Sequence, residues 1–364
     1  FLLYRYPKVK SQRYAASGKR RKDEKQKSKN TRSEMTPSRR TSFLLLTLSL
    51  CLLLLAARGM AADIPRSAPG APASSPQQAL DYLLKAKLPD SSAWWPNIKT
   101  SLFTANLRAN LLAPLAMYQG TNTNFCGYAA LSYLPLHDDP LAYVRFMLAL
   151  YTDGQATWGA VHFNPSPAIH TAAGTLRFKG ILDIRPADQL WFLCLADHFR
   201  GYLNFFFPRF HPGSEDSFWA AVNYGKFNRM IHILFGYNVR AKGSDLIRPH
   251  IPDLFDYLSD CLHTGLTYLY VNNTYLHKKN HNKFKGSFPT HFIVLDAIRK
   301  VPDQPDRIDI VYWDYGGRTL RQVSLRFLKK ITFGVTVCTP PSPPGLTSPS
   351  GPSQPAAPQT PSPS

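Results

Sequence analysis

Several familiar class markers are missing from this chain. No stretch reaches the roughly 18 consecutive apolar residues of a membrane-spanning helix. Cysteine is scarce, with five in 364 residues, and no internal repeat emerges. Disulfide scaffolds, solenoids, coiled coils, collagen-like chains and polytopic membrane proteins are therefore set aside. Acidic residues are also few, 23 against 43 Lys and Arg, and the formal charge is +20.

That charge is unevenly placed. Residues 1–40 hold 14 Lys and Arg against three acids, so eleven of the twenty net charges sit in the first ninth of the chain. A nucleic-acid surface needs basic residues on a folded face interleaved with aromatics. The densest run here, Lys19 to Lys29, lies in a polar segment with nothing apolar to fold around. No nucleic-acid partner is expected. Residues 1–34 read as a disordered basic segment or a start placed too far upstream, since the chain opens on Phe1 and the next feature begins at Met35.

Residues 35–62 have the order of a secretory signal. Arg39 and Arg40 precede an apolar run, Phe43–Ala57, broken by Thr47 and Ser49, and small residues follow at Gly59, Ala61 and Ala62. The run is short for a membrane span, so cleavage and export to a periplasmic or extracellular space are expected, with membrane contact limited to this segment. Residues 63–78, rich in Pro, Ala and Ser, read as a linker. Residues 339–364 are almost wholly Pro, Ser, Gly, Thr, Ala and Gln, a composition that cannot bury enough apolar area to offset ordering entropy. Between them lies one block, 79–338, large but within the limit of a single core.

Within the block, apolar residues at three and four spacing predict helices over Ala79–Leu88, Asp139–Tyr151, Ala187–Leu203, Glu215–Phe235 and Pro252–His263. From Gly265 the pattern turns β-branched and aromatic. Strands are expected at Leu266–Val271, His291–Arg299, Arg307–Asp314 and Thr332–Val337, with a short helix at Ser324–Lys330. Helices followed by an antiparallel sheet give the α+β class.

The stretch Gln119–Leu134, QGTNTNFCGYAALSYL, carries the chemistry. Asn124 is placed to cap a helix whose first turn holds Cys126. Unpaired N–H groups at a helix start favour a thiolate. Gly127 would leave room for a substrate to approach the sulfur. Gln119 on the preceding loop, with Asn122 and Asn124 as alternatives, would complete an oxyanion site with the Cys126 N–H. His291 opens a late strand with Ile293 and Leu295 on its face. Asp314 ends the next strand on the face of Ile308, Ile310 and Tyr312. If the strands are neighbours, Asp314 reaches the His291 ring and fixes its tautomer.

The Gln–x₆–Cys-Gly-Tyr-Ala-Ala-Leu helix start, the late strand opening on His and the next one ending on Asp together resemble the papain-like cysteine peptidase superfamily. The likeness is to bacterial branches with a Cys–His–Asp order, such as bacteriocin-processing-type peptidases. It covers Gln119–Leu134 and Thr290–Val337. It implies a papain-like fold in which the nucleophile helix packs on a C-terminal antiparallel sheet. The implied roles are nucleophile for Cys126, base for His291, orienter for Asp314 and oxyanion donor for Gln119. The helical insert, about 141–263, has no counterpart in the resemblance.

The expected activity is that of an exported thiol hydrolase, a peptidase or amidase acting on a protein, a peptide or a cell-wall peptide. Acyl transfer or deamidation of the transglutaminase kind has the same triad order, and a non-catalytic binding module would bury Cys126 instead. No cofactor is expected. His277 and His281 have the spacing of a metal pair but lie in a basic loop without a carboxylate, so no metal is expected either. That loop, Lys278–Lys285, would favour acidic groups if it overhangs the cleft. Asn272 opens an N-glycosylation triplet. Cys194 and Cys261 fall on apolar helix faces as core residues. Trp94, Trp95, Trp158, Trp191 and Trp219 are candidates for cleft walls or core.

Overall fold

The computed structural model describes residues 72–180, 182–200, 209–276 and 289–340. The basic segment, the signal-like segment, the expected linker up to residue 71, the basic loop with His277 and His281, and the tail beyond Pro340 lie outside the described residues. Order begins earlier than composition suggests. Ser75 caps a helix, α1 (Pro76–Lys85), in a reciprocal box with Gln78, and Pro76 occupies the first turn, where a missing N–H costs nothing. The Ala73 N–H reaches the Asp138 carbonyl at 2.6 Å, and Ser74 Oγ donates to Asp139 Oδ1 at 2.6 Å. The end of the expected linker is thus folded, because Ser74 and Ser75 act as hydrogen-bonding groups rather than as flexible filler.

Five further helices and a hairpin follow: α2 (Thr100–Leu112), α3 (Cys126–Asp138), α4 (Pro140–Asp153), the pair β1 (Ala156–Trp158) and β2 (Val161–Phe163), α5 (Pro167–Ala172) and α6 (Pro186–Phe199). Next come α7 (Tyr224–Phe235), β3 (Asn238–Gly243), α8 (Leu254–Thr264), β4 (Leu266–Val271) and the one-turn α9 (Asn273–Leu276). The chain closes with β5 (His291–Val301), β6 (Gln304–Asp314), β7 (Gly317–Ser324), α10 (Leu325–Ile331) and β8 (Thr332–Thr339). The expected α+β class is observed, with a six-stranded sheet in the order β3-β8-β4-β5-β6-β7, antiparallel at every pairing.

The sheet is covered on both faces. Phe292, Val294, Tyr268, Tyr270 and Trp313 join the large core built with α3, α4, α6 and α7. Ile293, Leu295, Ile308, Ile310 and Tyr312 form a second core with Leu254, Leu258 and Cys261 of α8 and Leu328 of α10. Alternation sorts the side chains of β6 and of β5 as far as Leu295; the register shift between Leu295 and Ala297 then brings Ile298 to the second core as well. Trp95, Trp191 and Trp219 are buried in the large core, with Trp191 packed edge-on against Phe146 and Trp158. These tryptophans build packing rather than a cleft.

Two expectations fail in the middle of the chain. The segment 141–263 is not wholly helical: it contains the β1–β2 hairpin, and β3 forms an outer strand of the main sheet against β8. The predicted helix Glu215–Phe235 shrinks to Tyr224–Phe235. Asn223 caps it through Lys226 N at 2.7 Å, while Glu215 sits in a separate turn, drawn into a buried ion pair with Lys179 at 2.6 Å. A polar side-chain commitment outside the helix overrides periodicity.

Candidate active site

The site lies where the start of α3 meets the start of β5. Helix α3 begins at Cys126 with Phe125 as its cap residue and no side-chain cap. Asn124 does not cap it, because its side chain donates to the Ser217 carbonyl at 2.9 Å. The first N–H groups of α3 still lack intrahelical acceptors, so their partial positive charge surrounds the sulfur. A Cβ at Gly127 would stand 3.1 Å from Val222 Cβ, so the missing side chain lets the start of α3 pack closely on Val222, with Phe292 Cδ2 in ordinary contact at 3.5 Å.

The loop before the helix is clamped from both sides. The Asn122 N–H donates to the Lys179 carbonyl at 2.9 Å, and the Asn124 N–H donates to the Glu215 carbonyl at 2.8 Å. Lys179 Nζ and Glu215 Oε1 join the two clamps at 2.6 Å. Glu215 is 1% exposed and the Lys179 side chain about a third exposed. Gly180 completes the packing, because a Cβ there would fall 2.2 Å from Thr121 Oγ1. Cys126 is thereby delivered on a backbone fixed by distant parts of the chain.

Strands β4 and β5 pair with Val271 opposite His291, and β6 lies on the far side of β5 with Val294 opposite Trp313. This arrangement brings the end of β6 beside the start of β5. Cys126 Sγ lies 3.7 Å from the Thr290 carbonyl oxygen, and the next residue, His291, is buried. His291 Nε2 stands 3.3 Å from Asp314 Oδ2, and the ring borders the same cleft as the Cys126 thiol. Burial alone would hold the ring neutral. The hydrogen bonds and charges of Asp314 and Cys126 outweigh it, raising the His291 pKa from 6.5 to about 9. The pair is arranged to favour an imidazolium.

Cys126, His291 and Asp314 are thus brought together from three elements. Gln119 is placed differently. It is 2% exposed, its side-chain Oε1 is enclosed without a hydrogen-bond partner, and it is absent from the walls of the cleft that contains Cys126. Asn124 does border that cleft.

Two residues at the site escaped sequence reasoning. Tyr315 stacks on the His291 ring with centroids 4.7 Å apart and planes 12° from parallel. Asn273 donates from Nδ2 to the Tyr315 hydroxyl at 3.0 Å and borders the same cleft. The signals available were the Tyr-Gly-Gly turn after Asp314 and the Asn272-Asn273 pair closing β4. Asn272 itself is fully buried, which removes it as a glycan acceptor. Cys194, Cys261 and Cys338 are buried free thiols, and burial pushes each of them up. Among the described residues, no group of three His, Cys, Asp or Glu is placed to hold a metal ion. Comparison of the chain with family models, with curated proteins and with solved structures finds no match.

Proposed function

We propose that the protein is a papain-like thiol hydrolase that cleaves an amide bond, with Cys126 as nucleophile, His291 as base and then acid, and Asp314 as its orienter. The observation that carries this reading is the buried His291 ring, 3.3 Å from the Asp314 carboxylate and bordering the same cleft as Cys126. In the proposed cycle the Cys126 proton passes to His291 and the sulfur attacks the substrate carbonyl. The C–S bond forms as the carbonyl π electrons move to oxygen, and the oxyanion accepts a hydrogen bond from the Cys126 N–H. Collapse of that oxyanion expels the amine, which takes its proton from His291 and leaves a thioester. Water, deprotonated by His291, then releases the acid and restores the thiol.

The partly exposed Cys126 suits attack on a peptide or amide, a cell-wall peptide included, and the signal-like segment at 35–62 supports export. Hydrolysis and transfer share the thioester, so adding a primary amine separates them by product. The direct test is labelling of the folded chain with an epoxysuccinyl probe, read by peptide mass spectrometry. Labelling is expected at Cys126 and should disappear in His291→Ala. A folded protein whose Cys126 stays unlabelled while solvent reaches the cleft contradicts the reading.

A further inference from the structure

Tyr315 has no part in the cycle above, yet its backbone occupies a costly conformation. It opens the two-residue turn between β6 and β7, with φ of +44° at Tyr315 and +75° at Gly316. Turns with positive φ at both central positions favour Asn, Asp or Gly at the first. A bulky aromatic residue there is a true outlier, and such outliers persist only where the surroundings hold them.

The surroundings do hold it. The Asn273 side chain donates to the Tyr315 hydroxyl at 3.0 Å, and the Asn273 N–H donates to Thr290 Oγ1 at 3.2 Å. Thr290 immediately precedes His291, so the bracket runs from one side of the imidazole to the ring that covers its face. The stack is close to parallel, at 12° and 4.7 Å. Other titratable groups near the imidazole are Cys126 from α3 and Asp314 from β6, with Asp216 on the cleft wall.

We infer that Tyr315 is a positioning residue: held by Asn273 and by its strained turn, its ring fixes the plane of His291 between Cys126 and Asp314. The ring also keeps cleft water from the His291–Asp314 hydrogen bond. This inference rests on the proposed roles of Cys126 and His291. A residue that merely fills the turn makes the opposite prediction, because Asn is better suited to that backbone than Tyr.

The experiment is the pH profile of Cys126 carbamidomethylation by iodoacetamide in the full chain, with melting temperatures, for wild type, Tyr315→Asn, Tyr315→Phe and Tyr315→Leu. Tyr315→Asn should melt at or above wild type yet react at least about tenfold more slowly, with a displaced pH midpoint, since small misplacements of reacting groups are expensive. Tyr315→Phe keeps the ring but loses the Asn273 hydrogen bond, and should fall between wild type and the Asn and Leu variants. Tyr315→Leu keeps bulk without a flat face and should resemble Asn in reactivity. An Asn or Leu variant that is folded and reacts with the wild-type profile overturns the inference. So does a loss of reactivity that follows melting temperature in every variant. Cys126 reactivity unchanged in His291→Ala would instead sink the parent reading.

Discussion

His291 Nε2 and Asp314 Oδ2 meet at 3.3 Å between the start of one strand and the end of the next, with both side chains buried. The contact follows from the β5–β6 pairing, so the carboxylate needs no loop to carry it. Its task in the proposed cycle is to hold one tautomer and to stabilise the imidazolium. Asn in its place preserves shape but offers no charge. Asp314→Asn should lower turnover by about 10²–10⁴-fold, while the melting temperature stays nearly unchanged. Parallel loss of both would mean that Asp314 is chiefly a structural turn residue.

The raised His291 pKa makes stability depend on pH in a defined direction. The folded ring holds its proton to about pH 9, against 6.5 for the ordinary side chain. Protonation is therefore linked to folding. The contribution is complete below the unfolded value and fades as pH climbs through the folded one. Thermal unfolding of wild type and His291→Gln should thus differ most below about pH 6.5, with the difference shrinking as pH rises and gone above about pH 9. A difference that grows between pH 7 and pH 10 would give the linkage the wrong sign.

The Lys179–Glu215 pair should respond unequally to loss of either partner. Lys179→Met strands a carboxylate that is 1% exposed, although the Gly213 N–H still reaches its Oε2 at 3.0 Å. Breaking a buried pair in this way costs about 3–5 kcal/mol. Glu215→Gln leaves a lysine that is a third exposed and can turn to water, at about 1–2 kcal/mol. Denaturant melts of the two variants test this ranking. Reactivity of Cys126 should fall in both, because each clamp holds the loop before α3.

Gly127 gives a test of packing beneath the nucleophile. Gly127→Ala drives a methyl group to 3.1 Å from Val222 Cβ and should cost about 1–3 kcal/mol by overpacking. Val222→Ala in the same chain should recover most of that loss. If the double variant is no more stable than Gly127→Ala alone, the contact with Val222 is not what makes Gly127 necessary.

The sheet strands at the site were legible because alternation is a strong local signal: β4 matches its expected bounds, and β5 and β6 each start or end on the expected His291 or Asp314. The helix at Cys126 was legible too, although its cap was not. Asn124 is a good capping residue by type, but a distant carbonyl, that of Ser217, takes its side chain. Helix α2 went unread because Asn110 interrupts its apolar face. That asparagine is buried against Asp188, at 2.8 Å, and against the Tyr143 hydroxyl, at 3.1 Å. Strand β3 was hidden by its exposed, polar side chains; β8 selects it through backbone pairing. Tyr315 stayed out of view for a different reason. Its stacking on His291 depends on a turn conformation that an aromatic residue does not announce.

The central claim is that one imidazole joins Cys126 to Asp314, and the titration of His291 itself tests it most directly. In the full chain, NMR of the labelled ring should give a midpoint near pH 9 in wild type. It should move toward lower pH in Cys126→Ala and again when Asp314→Asn is added. A wild-type midpoint near the ordinary 6.5, unmoved by either substitution, would contradict the account.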